Sequence, residues 1–197
     1  MQSSLTTSAT STELSTERLW IRPYTQEMAL EFWQLLQKNR ERLMPDFPDR
    51  TTAVISLEDA QNRLRVFTSQ HKVGDMYSFG IWRKEGGEYI GDITLRRLAR
   101  GKPFAEVGYY LGAQAEGKGF ATEALKAIMR YAFQVLHMEA VNLRCAEENN
   151  RSQGVAKRSG FTLIKSYTPV VSDHPTLPPR PLQVYQLKKE DAMVTLL

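Results

Sequence analysis

The amino-acid sequence predicts a single domain of mixed α/β layers, with a central, mostly antiparallel sheet flanked by helices. Two observations carry this expectation. Apolar residues recur at helical spacing in some stretches and alternately in others, giving the order β-α-α-β-β-β-α-β-α-β-β with no internal repeat. The 197 residues, 42% hydrophobic and 24% charged, also have the composition of an ordinary globular protein and a length that one core can serve.

The elements follow in order. Leu19-Trp20-Ile21-Arg22 reads as a strand stopped by Pro23. Thr25 suits a helix N-cap, and Met28, Ala29, Phe32, Trp33, Leu35 and Leu36 then recur at helical spacing. After the loop Met44-Pro45-Asp46-Phe47-Pro48, Ser56 with Asp59 three residues on opens a second helix that points Leu57, Ala60, Leu64 and Phe67 inward. Tyr77, Phe79 and Ile81 alternate, Gly86-Gly87 makes a turn, and strands over 89 to 96 and 104 to 111 complete an antiparallel trio. Ala121, Ala124, Leu125, Ile128, Met129, Ala132, Phe133 and Leu136 form an uninterrupted helical stripe. A strand over 140 to 146, a short helix over 149 to 159 closed by Gly160, and strands over 161 to 167 and 182 to 187 finish the pattern.

No apolar run approaches the ~20 residues that span a bilayer, so a soluble, cytoplasmic protein with no membrane partner is expected. Residues 1–16 are rich in Ser and Thr, hold no Lys or Arg, and read as a disordered leader instead of a signal or transit peptide. Residues 17–190 are then the domain and 191–197 a C-terminal tail. The formal charge of +4 suits acidic partners, but the basic residues are scattered, so direct nucleic-acid binding is not implied. Cys145 is the single cysteine; on an alternating stretch it reads as a buried structural thiol. His71, His137 and His174 have no carboxylate at ligand or triad spacing, so no metal is assigned.

The most informative stretch is Gly112-Ala113-Gln114-Ala115-Glu116-Gly117-Lys118-Gly119-Phe120-Ala121-Thr122. A helix N-terminus offers unpaired N–H groups and partial positive charge, and glycine lets backbone approach a phosphate without a Cβ. Gly112 to Gly117-Lys118 nearly satisfies a Walker-type loop, but Gly119 stands where the magnesium-binding hydroxyl belongs. Gly117-x-Gly119 opens a dinucleotide fingerprint, but Thr122 replaces its third glycine and the turn follows antiparallel strands. A plain tight connection is the remaining alternative.

The sequence resembles the GNAT superfamily of acetyltransferases, whose pyrophosphate loop reads Gln/Arg-x-x-Gly-x-Gly/Ala. Glu116-Gly117-Lys118-Gly119-Phe120-Ala121 supplies Gly119 and Ala121 and has Glu in the first position. The resemblance spans roughly residues 16 to 190 and is nearest the RimJ/RimL-like branch, which acetylates N-terminal amines of ribosomal proteins. Its other carriers are Thr16-Glu17-Arg18-Leu19 with Ile21-Arg22-Pro23, Glu106-Val107-Gly108-Tyr109-Tyr110-Leu111, and the segment from Asn149 to Phe161. It implies the acyl-CoA N-acyltransferase fold with a splayed sheet, acetyl-CoA as cosubstrate, and direct transfer to an amine.

Residue by residue, the resemblance puts the pyrophosphate on Gly117, Lys118, Gly119, Phe120, Ala121 and Thr122, and the pantetheine arm beside Tyr109, Tyr110 and Leu111. Asn149 would contact that arm, and Ser152 would be the hydroxyl near the thioester sulfur. Both residues also suit helix capping. The tyrosine that many relatives carry further along this helix is Ala156 here. Glu106 matches the family's acidic position and is read as the base, through water, or as an anchor for the amine. Phe47, between Pro45 and Pro48, matches an aromatic that lines the acceptor cleft, or else pins the connector to the core.

Acyl transfer needs a neutral amine, a stabilised oxyanion and protonation of the thiolate. Neutralising an α-amine costs ~1 kcal/mol at neutral pH and a lysine ~4.6, so a terminal amine needs little help; the resemblance implies a protein N-terminus, such as that of a ribosomal protein, as the expected acceptor. A small amine (polyamine, amino sugar or antibiotic) and a non-catalytic acyl-CoA-binding role stay open, as does monomer or homodimer.

Overall fold

The computed structural model describes residues 13–99, 101–172 and 177–195. The chain runs through β1 (Leu14–Ser15), β2 (Leu19–Pro23), α1 (Ala29–Leu43), α2 (Pro48–Ala53) and α3 (Leu57–Val73). An antiparallel meander of β3 (Met76–Arg83), β4 (Tyr89–Arg97) and β5 (Phe104–Leu111) leads to α4 (Phe120–Gln134). Then come β6 (Ala140–Ala146), α5 (Asn150–Arg158), β7 (Thr162–Tyr167), β8 (Leu182–Lys188) and α6 (Lys189–Thr195).

The expected order is present with β1, α2 and α6 added. β1 is too short for a period to register, yet it pairs with β2 at Leu14↔Ile21. Residues 1–12 lie outside the described residues; within the expected leader, Leu14–Ser15 form β1 at the sheet edge. The expected tail is likewise partly helix, because Ala192 of α6 is buried in the main core. α2 starts with Pro48 in its first turn, where a missing N–H costs nothing. Arg40 of α1 caps its far end, donating to the carbonyls of Thr51 and Val54.

Ser56 caps α3 as expected, in a capping box with Asp59: Asp59 N donates to Ser56 Oγ at 3.1 Å and Ser56 N donates to Asp59 Oδ2 at 2.9 Å. Ala60, Leu64 and Phe67 are buried, but Leu57 is 37% exposed. The first helical turn here precedes the packed face, so the inward expectation for Leu57 is corrected.

All eight strands form one sheet in the order β1-β2-β3-β4-β5-β6-β8-β7. Every neighbour is antiparallel except the β5–β6 pair, which is parallel. α4 lies across one face, over Ile21, Phe79, Ile81, Ile93, Leu95 and Val107. α1 and α3 cover the other, where Phe32, Leu36, Leu64 and Phe67 pack with Trp82, Tyr89 and Tyr110. Strand alternation therefore sends Tyr109 and Tyr110 to opposite layers. Gly91 allows the closest approach in the sheet: a Cβ there would sit 2.2 Å from the Tyr110 carbonyl oxygen.

Candidate active site

The splay arises where the parallel pairing stops. β5 and β6 pair from Phe104↔Ala140 to Val107↔Leu143; beyond, residues 108–111 keep only β4 and residues 144–146 keep only β8. The edges that face each other across this gap have backbone polar groups to offer. A groove of about 1210 Å³ occupies the opening, lined by Tyr109, Tyr110, Leu111, Gly117, Gly119, Phe120, Ala121, Thr122, Asn149 and Ser152. A second cavity of about 270 Å³ shares Phe47, Tyr109, Asn149 and Ser152 with the groove and adds Glu106.

At one end of the groove lies the turn into α4. Gly117 and Gly119 have φ of 73° and 82°, a region in which a Cβ is strained. Gly119 is the N-cap of α4 and brings no side-chain cap, so the first N–H groups of the helix, which have no intrahelical acceptor, receive none from the N-cap either. These donors, with the helix dipole behind them, suit a pyrophosphate. Of the expected turn residues, Lys118 has an exposed side chain that does not line the groove, so what it can offer there is its backbone N–H.

The turn is braced from the start of the domain. Arg18 Nη1 donates to the Lys118 carbonyl at 3.0 Å, and Arg18 Nε donates to Glu123 Oε2 at 2.7 Å. Thr16 Oγ1 and the Arg18 N–H both donate to Glu123 Oε1, at 2.6 and 2.9 Å. This is the physical content of the Thr16-Glu17-Arg18-Leu19 segment, whose role the sequence does not reveal. Burial alone would raise Glu123, but the hydrogen bonds from Thr16 and Arg18 outweigh it and hold the carboxyl below its ordinary range. The brace is therefore complete above the ordinary glutamate range and lost as pH falls through the depressed folded value. Arg18→Ala should weaken acetyl-CoA binding ~10-fold by loosening the turn; calorimetric titration checks this, and the wild-type affinity should converge on that of the variant in acid.

Where groove and cavity meet, Asn149 caps α5: Ser152 N donates to Asn149 Oδ1 at 3.0 Å. Asn149 Nδ2 donates to Asp46 Oδ2 at 2.9 Å, so the capping role is observed and the side chain also ties α5 to the loop before α2. Arg180 joins the same loop, donating to Asp46 Oδ1 at 2.7 Å and to the Pro45 carbonyl at 2.6 Å. Asp46 and Arg180 line both spaces and escaped the sequence reading. The Tyr109 hydroxyl is buried without a partner at full hydrogen-bond geometry. Burial pushes its pKa well up, and its approach to Ser152 partly offsets the rise. Ala156, which stands where many relatives carry a tyrosine, is fully buried and offers no hydroxyl.

Glu106 lies in the second cavity, with Oε1 3.1 Å from Arg96 Nη2 and 3.6 Å from Arg144 Nη2. Phe47 both packs edge-on against Tyr110, ring centroids 5.2 Å apart, and lines the two spaces. Cys145 is buried beside them, and burial pushes its thiol up to about 11, far from the depressed range of reactive thiols. His71 stacks edge-on to Tyr77 and Phe79, and burial lowers its pKa; His174 lies outside the described residues. Among the described residues no group of three or more His, Cys, Asp or Glu side chains is arranged to hold a metal ion.

Beneath Phe47, a buried ionic cluster fixes α2. Arg50 Nη1 lies 2.7 Å from Asp92 Oδ1, with side chains 14% and 2% exposed. Tyr24 Oη donates to Asp92 Oδ2 at 2.7 Å and Thr94 Oγ1 to Asp92 Oδ1 at 3.2 Å. Burial works against the Arg50 cation, but the Asp92 carboxylate more than offsets it and raises its pKa.

Comparison with known proteins agrees with this geometry. The acetyltransferase (GNAT) domain family matches residues 18–162. The chain is 30% identical over 149 residues to the [ribosomal protein uS5]-alanine N-acetyltransferase of Escherichia coli (strain K12), covering 75% of this chain and 77% of that protein. In fold it is similar to a ribosomal-protein-S5-alanine acetyltransferase from Vibrio fischeri, with a TM-score of 0.82 at 19% identity over 91% of this chain and 98% of that one. It is also similar to RimL, a ribosomal L7/L12 α-N-protein acetyltransferase in complex with coenzyme A, with a TM-score of 0.79 at 20% identity over 90% and 98%.

Proposed function

The chain belongs to the GNAT acetyltransferase family, and from that premise we propose that it transfers acetyl from acetyl-CoA to the N-terminal α-amine of a protein, with ribosomal proteins as the acceptor class and the cytoplasm as its place of action. The observation that carries the reading is the junction of two spaces. The groove holds the helix-start amides, the second cavity holds Glu106, and Phe47, Tyr109, Asn149 and Ser152 belong to both. One substrate fits each side, with the reacting atoms at the shared wall.

The residues fit acetyl-CoA on this chain's own features: an uncapped helix start for the pyrophosphate and an unpaired β5 edge for the pantetheine amides. Gly117, Gly119, Phe120, Ala121 and Thr122 hold the first; residues 109–111 hold the second. The thioester, when bound, supplies the activated acetyl carbon. Glu106, kept in place by Arg96 and Arg144, orients the amine and takes its proton through water. Ser152 passes its hydroxyl proton to the departing sulfur and takes one from water in the same step, beside the buried Tyr109 hydroxyl. An α-amine needs only ~1 kcal/mol to become neutral, against ~4.6 for lysine, and the cluster at Glu106 holds no stronger base.

Ser152→Ala should lower kcat ~10²-fold, the size expected for loss of a positioned proton donor, and leave KM for acetyl-CoA near the wild-type value. Steady-state thiol release measures both, and an unaltered kcat removes Ser152 from the mechanism. The acceptor class is tested by thiol release with peptides bearing free or blocked N-termini and with a panel of small amines. Turnover confined to free N-termini is the expected result; turnover confined to small amines overturns it.

A further inference from the structure

We propose that Glu116 is a built-in stand-in for a phosphate: in the free enzyme its carboxylate occupies Arg42 and Arg151, and coenzyme A takes both guanidiniums from it on binding. The inference rests on the acetyl-CoA reading above and deepens it by naming the side chains that answer the phosphates and the group that competes for them.

Glu116 stands immediately before the phosphate turn, in the position where the family pattern has Gln or Arg. Its Oε1 pairs with Arg42 Nη1 of α1, and its Oε2 lies 2.5 Å from Arg151 Nη1 of α5. All three residues line the groove, and they come from three separate elements. The carboxylate thus bridges two cations across the space where the pyrophosphate belongs.

The two arginines differ in how they are held. Arg42 Nη2 also donates to the Leu111 carbonyl at 2.5 Å and to Asn39 Oδ1 at 3.1 Å, so Arg42 stays in place if Glu116 turns away. Its Nε is buried and has no partner among the described residues. Arg151 is 79% exposed and is free to swing. A fixed and a movable guanidinium on opposite walls suit a ligand that enters along the groove.

Charge decides the direction of exchange. One carboxylate faces two guanidiniums, whereas coenzyme A brings a pyrophosphate and a ribose phosphate. Guanidiniums bind phosphate oxygens through short, charge-assisted, often bidentate bonds, while the Glu116 carboxylate, 28% exposed and paired with guanidiniums 33% and 79% exposed, is still reached by water, which weakens its pairs. Phosphates therefore displace Glu116, and the displaced carboxylate, repelled by them, lowers the affinity for product coenzyme A and speeds its release. Glu116 is a tuning residue in this account and touches no reacting atom.

The test is calorimetric titration of wild type and Glu116→Gln with coenzyme A, and with acetyl-pantetheine as a probe that lacks the phosphates. Glu116→Gln should tighten coenzyme A ~2- to 5-fold, a difference of the size that single ion pairs produce, leave acetyl-pantetheine unchanged, and slow coenzyme A dissociation in stopped flow. Arg151→Gln, an exposed change that leaves the core alone, should weaken coenzyme A severalfold even if Glu116→Gln folds poorly. Unchanged or weaker coenzyme A binding by a folded Glu116→Gln, or an Arg151→Gln variant that binds like wild type, overturns the proposal. A wild-type protein that binds no coenzyme A at all overturns the cofactor reading itself, a different result from either.

Discussion

Gly119→Trp is expected to abolish acetyl-CoA binding while the fold survives. The residue sits at φ 82° as the N-cap of α4, and a Cβ there would meet Arg18 Nη2 at 3.3 Å, the arm that braces the turn. Any side chain is strained at this φ by ~1–2 kcal/mol, a cost that a domain of this size tolerates. An indole adds bulk over the helix-start amides, the proposed seat of the pyrophosphate, and blocks that anion grip. Affinity should fall at least ~100-fold, with Gly119→Ala losing less because it carries only the strain. Titration with acetyl-CoA beside a urea denaturation curve separates the two effects; binding retained by a folded Gly119→Trp would place the phosphates elsewhere.

Asp92→Ala should produce the largest loss of stability. Asp92 is 1% exposed and is the shared acceptor of Arg50, Tyr24 and Thr94. Its removal strands the Arg50 guanidinium in the interior, and breaking a buried pair from one side costs about 3–5 kcal/mol. Because Arg50 belongs to α2, whose N-cap is Phe47, the acceptor wall should loosen as well. Urea unfolding should show the stability loss, and kinetics should show KM for a peptide acceptor rising more than KM for acetyl-CoA. Wild-type stability in Asp92→Ala would mean that Arg50 reaches solvent by an unseen route.

How much of this was legible follows from which contacts are local. The strands over 140 to 146 and 104 to 111 match β6 and β5 to the residue, because Val141, Leu143 and Cys145 alternate in the first and the turns at Gly101 and Gly112 bound the second. α4 was equally plain, since its stripe buries Ala124, Leu125, Ile128 and Ala132 without interruption. α2 was not, because Pro48-Asp49-Arg50-Thr51-Thr52-Ala53 has no apolar face; Arg40 and Asp92, distant in sequence, hold it. Within the site, Gly119 was visible through local turn chemistry, and Asn149 and Ser152 through the family resemblance. Arg42 and Arg151 were not, since they meet Glu116 across 74 and 35 residues of chain, and no local pattern encodes that meeting. Asp46 and Arg180 stand 134 residues apart for the same reason.

The central claim is that backbone N–H groups at the start of α4 hold the pyrophosphate of acetyl-CoA. Amide resonances of the isotope-labelled protein, followed during titration with acetyl-CoA and then with acetyl-pantetheine, test it most directly. Large shifts at residues 117–122 with acetyl-CoA, absent there with acetyl-pantetheine, are the predicted result. Equal shifts with both ligands, or a silent turn while binding proceeds, would contradict it.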